Sequence, residues 1–381
     1  MNNNEQKVRD VIVLGGGLAG LSLANILTRN GVDVQVIEKG DYPRNKVCGE
    51  YISRESEDFL KKLGLSLNEM NLPHIDEFQL SFPNGKKHRC QLEPGGIGLS
   101  RLTLDYRLYQ LLKEMSCDVQ LNTKITSVDV ETGNDYSLVH AVDGETFAGR
   151  LVVGATGRSG HSLFHTPSEK QKKSKKYFGL KYHIHSDQPE HLIQIHLFSG
   201  GYAGISKVEN EKYCLCYLAD ARHLKKYKGS VENFERAVMY KNPHLKKIFT
   251  DLQIIEGPVT TARFQFDYFD TVKGDTFLMG DSAGFIPPLT GNGMSLAFRS
   301  ASVLGNLLTN HFNGKTSLKS VKEDYRNFGN IYLKKRIRSG LFLQELALHS
   351  GPVGKQMISG SMSLFPFLLK RLSQKASGKK F

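Results

Sequence analysis

Cys48, Gly49 and Glu50 stand side by side in the stretch PRNKVCGEYIS, Pro43 to Ser53, with Arg44 and Lys46 just before them. A thiol near two cations is a candidate acid or nucleophile, because positive charge stabilises the thiolate. A carboxylate two positions on can relay a proton, and the glycine between them lets a ligand come close to the backbone. Taken alone, a single cysteine more often fills a loop as a small apolar residue. The part of the chain that faces this loop decides between the two.

Upstream, Val8 to Gly40 reads VRDVIVLGGGLAGLSLANILTRNGVDVQVIEKG. Val11 to Leu14 is a short apolar run ending at glycine, the pattern of a buried parallel strand, and Leu18 to Leu27 carries apolar residues at helical spacing. Val32 to Ile37 predicts a second strand, which ends in Glu38. The unit is a βαβ with Gly15-x-Gly17-x-x-Gly20 at its first turn. The first glycine permits the tight turn, the second lets backbone approach a diphosphate, the third lets helix and strand pack closely, and the helix start offers free N–H groups to the anion. Glu38 stands where a carboxylate accepts hydrogen bonds from an adenosine ribose. Together these features predict a bound dinucleotide without separating NAD from FAD. The far end of the chain separates them. There Thr276 to Met279 predicts a strand, followed by Gly280-Asp281, a proline-broken loop and a helix from Gly293 to about Leu308. An acid at a strand end before a glycine-rich helix start is a second cradle, for a polyanion or polyol, and a nicotinamide dehydrogenase has no use for it.

These elements lie in a chain of 381 residues, long enough for two domains, with 39% hydrophobic and 23% charged residues. No apolar run reaches the roughly 18 residues of a membrane span, and the first residues lack a secretory pattern, so a soluble, cytoplasmic protein is expected. Five scattered cysteines fit reduced thiols, and Cys214-x-Cys216 has no second pair to complete a metal site, so none is expected. FGLKYHI, LIQIHLF and YCLCYLAD alternate as antiparallel strands with one polar face and a single buried face. His183, His185 and His196 lie on these strands and read as hydrogen-bonded sheet residues. The net charge of +13 gathers in two places. Ser168 to Lys176 reads as a solvated loop. The region from Lys334 onward has ten Lys or Arg against Glu345 alone, and reads as a packed helix with a charged outer face; peripheral contact with an anionic membrane is the alternative. No nucleic-acid module signature is present, and nucleic acid is not expected as a partner.

Three motifs in register carry a resemblance: the glycine turn with Glu38, GATGRSG at Gly154 to Gly160, and GDSAGFIPPLTGNG at Gly280 to Gly293. LSRLTLDYRL, with Ser100, Arg101 and Asp105, adds to it. The chain resembles the FAD-dependent oxidoreductases of the para-hydroxybenzoate hydroxylase fold, and within them the geranylgeranyl reductase family. The resemblance implies an α/β fold with a discontinuous Rossmann-like FAD-binding domain over residues 1–75, 100–165 and 260–325. An inserted, mainly antiparallel β-sheet substrate domain would take 76–99 and 166–259, and a helical C-terminal segment with a basic tail would take 326–381. It implies FAD as cofactor with NAD(P)H as electron donor. Cofactor contacts would come from Gly15, Gly17, Leu18, Ala19, Gly20, Glu38, Lys39, Arg44, Cys48, Gly49, Arg101, Gly157, Gly280, Asp281, Pro288, Gly291, Asn292, Gly293 and Met294. Asp281 would bind the ribityl chain, and the turn from Pro287 to Met294 would lie beside the flavin ring. Cys48 and Glu50 would be catalytic at the reactive face, where Arg44 and Lys46 would stabilise an anionic reduced flavin.

The sequence also departs from the resembled families. Their aromatic substrate strand, Tyr-x-Trp-x-Phe-Pro, is replaced by YAGISK from Tyr202 to Lys207, leaving Tyr202 as the substrate contact. The chain contains no tryptophan, so the tryptophan motif of the flavin halogenases is absent too. Thr156 stands where the hydroxylases commonly carry an aspartate. The expected reaction is hydride transfer from reduced FAD to a carbon-carbon double bond of an apolar small molecule, with Cys48 or Glu50 supplying the proton. The alternatives are a monooxygenase that hydroxylates an aromatic or polyketide-like substrate, and a non-catalytic flavin redox partner.

Overall fold

The computed structural model describes residues 7–129, 135–165, 176–264, 266–291, 293–364, 369 and 381. The chain opens with β1 (Val8–Leu14), α1 (Leu18–Arg29) and β2 (Val34–Ile37), with Val11 opposite Val34 in parallel register. The second half of β1 and all of β2 are buried, which is why both read as unbroken apolar runs. β3 (Tyr51–Ser53) leaves this layer to pair with the end of β5 (Lys87–Gly98), itself antiparallel to β4 (His74–Ser81). α2 (Arg101–Glu114) is started by Ser100, whose hydroxyl accepts from the Thr103 N–H. It leads back to the first layer, where β6 (Asp118–Gln120) joins β2. β7 (Ile125–Asp129), β8 (Ser137–Ala141) and β9 (Thr146–Gly154) then form a meander whose last strand lies parallel to β1.

The second sheet takes β10 (Tyr177–His185), β11 (Leu192–Phe198), β12 (Gly201–Lys207), β13 (Tyr213–Asp220) and β14 (Gln253–Phe264). The chain then returns through β15 (Val272–Lys273) and β16 (Thr276–Leu278). The strand orders are β15-β16-β9-β1-β2-β6 in the first sheet and β14-β10-β13-β12-β11-β4-β5-β3 in the second. β1 thus lies between β9 and β2, and its C-terminal turn opens where the strand order reverses, the crevice in which open α/β sheets bind ligands. α3 (Gly293–Phe312) follows and packs on α1 through Gly305, where a Cβ would meet Ile26 at 2.8 Å. After a π-helical turn at Gly329–Leu333 come α4 (Lys334–His349) and α5 (Gly351–Leu364). They bring Leu348 and Met362 into one apolar cluster with Leu197, Tyr202 and Phe285.

Several expectations change. The helix expected to end near Leu308 runs to Phe312, and the strand expected from Val32 starts at Val34. The substrate sheet does not have a single buried face. Phe178, Leu180, Tyr182 and Ile184 of β10 pack on Phe234, Met239 and Leu245 from helices between Val231 and Thr250. Its polar face is buried as well, with Lys181 and His183 each 1% exposed, because the loop containing Cys48 covers it. Most of the Ser168–Lys176 stretch and most of SLFPFLLKRL lie outside the described residues. Among the described residues, no helix is long and apolar enough to cross a membrane.

Candidate active site

At the first turn, Gly15 has φ +107°, and a Cβ there would lie 2.5 Å from the Ala155 carbonyl oxygen; on Gly20 it would lie 2.0 Å from that of Gly15. Both positions exclude a side chain because strand and helix touch there. Gly17 differs: its nearest neighbour would be the Lys46 ammonium at 3.5 Å. It precedes α1 without a side-chain cap, so free N–H groups and a half-buried cation face the same space. Burial, then the charge of Arg101, pushes Lys46 down to about 8. Glu38 accepts from the Gly16 N–H at 2.7 Å and the Gly40 N–H at 3.1 Å, and pairs with Arg44. Burial would raise its carboxyl, but Arg44 outweighs this and holds it below the usual range.

The second cradle is stitched to the first. Gly280, at φ +57°, would carry a Cβ 3.0 Å from that of Ala19 on α1, and the Ser282 hydroxyl accepts the Gly157 N–H at 3.0 Å. Arg158 lies 3.8 Å from the Asp281 carboxylate and over the Phe285 ring. Burial pushes the Asp281 carboxyl up, as expected of an acid in a recess where ligand hydroxyls can replace water. Gly291, at φ +66°, turns the chain beside Tyr51 into α3; Asn292 lies outside the described residues. Arg101 donates to both Asp105 oxygens, at 2.8 and 2.7 Å. A diphosphate against Gly17 and Lys46, and a polyol against Asp281, fit these two cradles.

The loop from Pro43 to Ser53 lies between them and the substrate sheet. Cys48 accepts the Glu50 N–H at 3.5 Å, and the Cys214 thiol donates to the Cys48 carbonyl at 3.3 Å. The cations were expected to lower the Cys48 thiol; burial outweighs Arg101 and raises it instead. Glu50, fully buried and at φ +56°, accepts from Lys181 and from His183 at 2.6 Å each and from the Arg101 N–H at 2.9 Å. Burial would raise its carboxyl, but His183 and Lys181 prevail and keep it low. His183 donates its other ring nitrogen to Glu256 at 3.1 Å. A carboxylate at each nitrogen favours the imidazolium: burial opposes the charge, but Glu50 raises the pKa beyond that penalty. Glu50, His183 and Cys214 each bring a potential metal-ligand atom within 4.8 Å of the others, yet the Lys181 ammonium already supplies a cation there. Lys181 and Glu256 belong to no sequence motif, and His183, expected as an ordinary sheet residue, pairs with both Glu50 and Glu256. The available signal was two polar residues at alternate positions of an otherwise apolar strand, FGLKYHI.

One cavity of about 1100 Å3 joins these parts. Every residue singled out above as a cofactor, catalytic or substrate contact lines it, apart from Gly20, which packs α1 on β1, and the undescribed Asn292. Tyr202 is buried on β12. Beyond it the walls are aliphatic and aromatic: Phe78 and Leu80 from β4, Ile193 and Ile195 from β11, Leu343 from α4 and Met362 from α5.

The FAD binding domain family matches residues 9–327. The chain is 26% identical over 374 residues to the FAD-dependent monooxygenase esdpE of Penicillium shearii, covering 86% of this chain and 74% of that one. It is 21% identical over 363 residues to digeranylgeranylglycerophospholipid reductase 3 of Methanosphaera stadtmanae, covering 90% and 87%. Among solved structures it is similar to Klebsiella pneumoniae HpxO complexed with FAD and uric acid, with a TM-score of 0.75, 16% identity and coverage of 99% and 98%. The family match takes in both cradles and the loop between them, and the chain belongs to the FAD binding domain family as a FAD-dependent oxidoreductase.

Proposed function

We propose that the protein is a FAD-dependent monooxygenase acting on an apolar small molecule, with NAD(P)H as electron donor. The observation that carries this reading is the state of the two groups that a reductase would use as acids. Burial raises the Cys48 thiol, and Glu50 is an anion bound at both carboxylate oxygens. Glu50 therefore has no proton to give a substrate carbon, and the Cys48 thiol, which keeps its proton, is a weak donor. Bound FAD, once reduced, supplies oxygen activation; the protein's part is to hold the ring and keep water away, for which the aliphatic far wall is suited. Arg101 and Lys46 would give the bound cofactor positive potential, and Asp281 and Glu38 would hold its hydroxyl-bearing chains. The basic, partly apolar face of α4, beside that wall, would bring the enzyme to an anionic membrane from which such a substrate comes.

Rapid mixing of the anaerobically reduced, FAD-loaded protein with oxygen tests the reading. Reoxidation in two resolved phases, and bleaching of the flavin by NADPH or NADH, is the expected result. The second reading, reduction of a carbon-carbon double bond, is supported by the Cys48-Gly49-Glu50 loop lining the cavity and by the similarity to the Methanosphaera stadtmanae reductase. It would be favoured by a single slow reoxidation phase together with loss of turnover of an unsaturated isoprenoid in Cys48→Ala.

A further inference from the structure

The partners of Glu50 come from outside the glycine motifs. Lys181 and His183 project from the same face of β10; the register sets them opposite Cys216 and Cys214 on β13, and sets His183 opposite Glu256 on β14. Asn45 ties the group to the loop, its amide donating to Glu256 and its carbonyl accepting from Lys181, both at 2.9 Å. Lys212 pairs with Glu256 at 3.2 Å from the outer side. On the cavity side Glu50 holds the N–H of Arg101, the first residue of α2, and its own carbonyl accepts the Leu99 N–H at 3.0 Å. Three separate pieces of chain therefore meet at one carboxylate: the loop with Cys48, the substrate sheet and the start of α2.

Such a cluster is a poor way to gain stability. Desolvating several charges costs about what their attraction returns, and apolar residues of similar volume are often equally stable there. What the cluster does supply is geometry, since a carboxylate with both oxygens bound has little freedom to move. The two groups it fixes on its cavity side, Cys48 and Arg101, line the space that also holds the Gly17 turn and Asp281.

We propose that Lys181 and His183 are positioning residues of the FAD site, holding Glu50 so that Glu50 sets the Cys48 loop and Arg101 against the cofactor. The charged and titratable groups facing Glu50 are Lys181 and His183 from β10, Cys214 and Cys216 from β13, Cys48 from its own loop and Arg101 from α2; those facing His183 are Glu50, Lys181, Cys214 and Glu256. As pH rises through the raised pKa of His183, one of the three donors to Glu50 weakens while Lys181 keeps its charge. The flavin environment should therefore change at that step.

The test compares Glu50→Gln, Lys181→Met and the double variant, measuring the urea unfolding midpoint, the FAD dissociation constant by flavin fluorescence and the flavin midpoint potential. Glu50→Gln takes the carboxylate from the buried Lys181 ammonium, and Lys181→Met leaves His183 alone to balance Glu50, so each single variant should be destabilised. The double variant buries no unpaired charge and should regain the wild-type urea midpoint. Positioning is supported if this double variant still binds FAD about tenfold more weakly and shows a lowered potential. Recovery of wild-type affinity and potential along with stability would overturn it, because the cluster would then serve the fold alone. Should the double variant not fold, His183→Gln decides. A pH-dependent change in the flavin absorbance that the wild type shows and His183→Gln lacks supports the proposal; spectra that superimpose from about pH 5 to 9 overturn it.

Discussion

Glu50 is fully buried yet charged, and its partners make the stability of the protein depend on pH from two sides. Glu50 and Glu256 have depressed carboxyls, Glu256 to about 2. Their contribution is present above the ordinary carboxylate value of about 4.3 and is lost as pH falls through the folded values. His183 is raised, so its contribution is complete below about 6.5 and is lost as pH rises through its folded value. The urea midpoint of the ligand-free protein should peak between about pH 5 and 6.5 and decline on the alkaline side. In His183→Gln the part of that decline due to the imidazole should vanish, which a series of midpoints across pH would show. A second expectation concerns Lys46, whose ammonium borders the diphosphate turn and is pushed down by burial to about 8. Lys46→Met should weaken FAD binding by about tenfold or more and leave the unfolding midpoint unchanged, as measured by fluorescence titration and urea denaturation. At this scale the sequence was legible where chemistry is local: Asp281, Glu38 and Arg101 reach the cavity from their own motifs. Lys181 and Glu256 were illegible because their meaning depends on a residue more than 100 positions away.

Elements were legible to the degree that their pattern depends on near neighbours. The βαβ start is such a case, since the glycines, the β-branched strand and the apolar helix face all express contacts within Val8–Ile37. The polar face of β10 is the opposite case: alternation correctly indicates two unlike faces, but it carries no information about what lies on the polar one. That face is buried by a loop from far earlier in the chain, so a lysine and a histidine became interior residues. The glycines allow a prediction that separates packing from binding. Gly20 has another residue's backbone within 2.0 Å of its would-be Cβ, whereas Gly17 faces only the end of the Lys46 side chain at 3.5 Å, with φ −87° that any residue adopts. Gly20→Ala should therefore cost about 1–3 kcal/mol of stability through overpacking. Gly17→Ala should keep the urea midpoint and raise the FAD dissociation constant about tenfold, because the methyl group stands where the diphosphate must approach.

The molecule as a whole carries a formal net charge of +13, and its C-terminal helices combine part of that charge with exposed apolar surface. Phe342 on α4 is 69% exposed and Met357 on α5 68%, and Ile331, just before α4, is 74% exposed. Lys335 and Arg338 lie exposed between Ile331 and Phe342 at helical spacing. Leu346, one turn beyond Phe342, is partly exposed and also lines the cavity, so the apolar stripe is continuous with the mouth of the site. A basic and apolar helix face of this kind binds anionic bilayers by inserting its large side chains while its cations meet the headgroups, an attraction weakened by salt. The FAD-loaded protein should therefore sediment with vesicles containing phosphatidylglycerol and much less with pure phosphatidylcholine. Binding should fall at high salt, and Phe342→Glu should abolish it without altering the flavin spectrum. Equal recovery with both vesicle types, or none with either, would contradict membrane docking; a dimer that Phe342→Glu dissociates would assign the stripe to a second copy of the chain instead. Because vesicle binding and flavin reoxidation are read separately, a failure of the membrane contact would leave the monooxygenase reading standing, and the converse also holds.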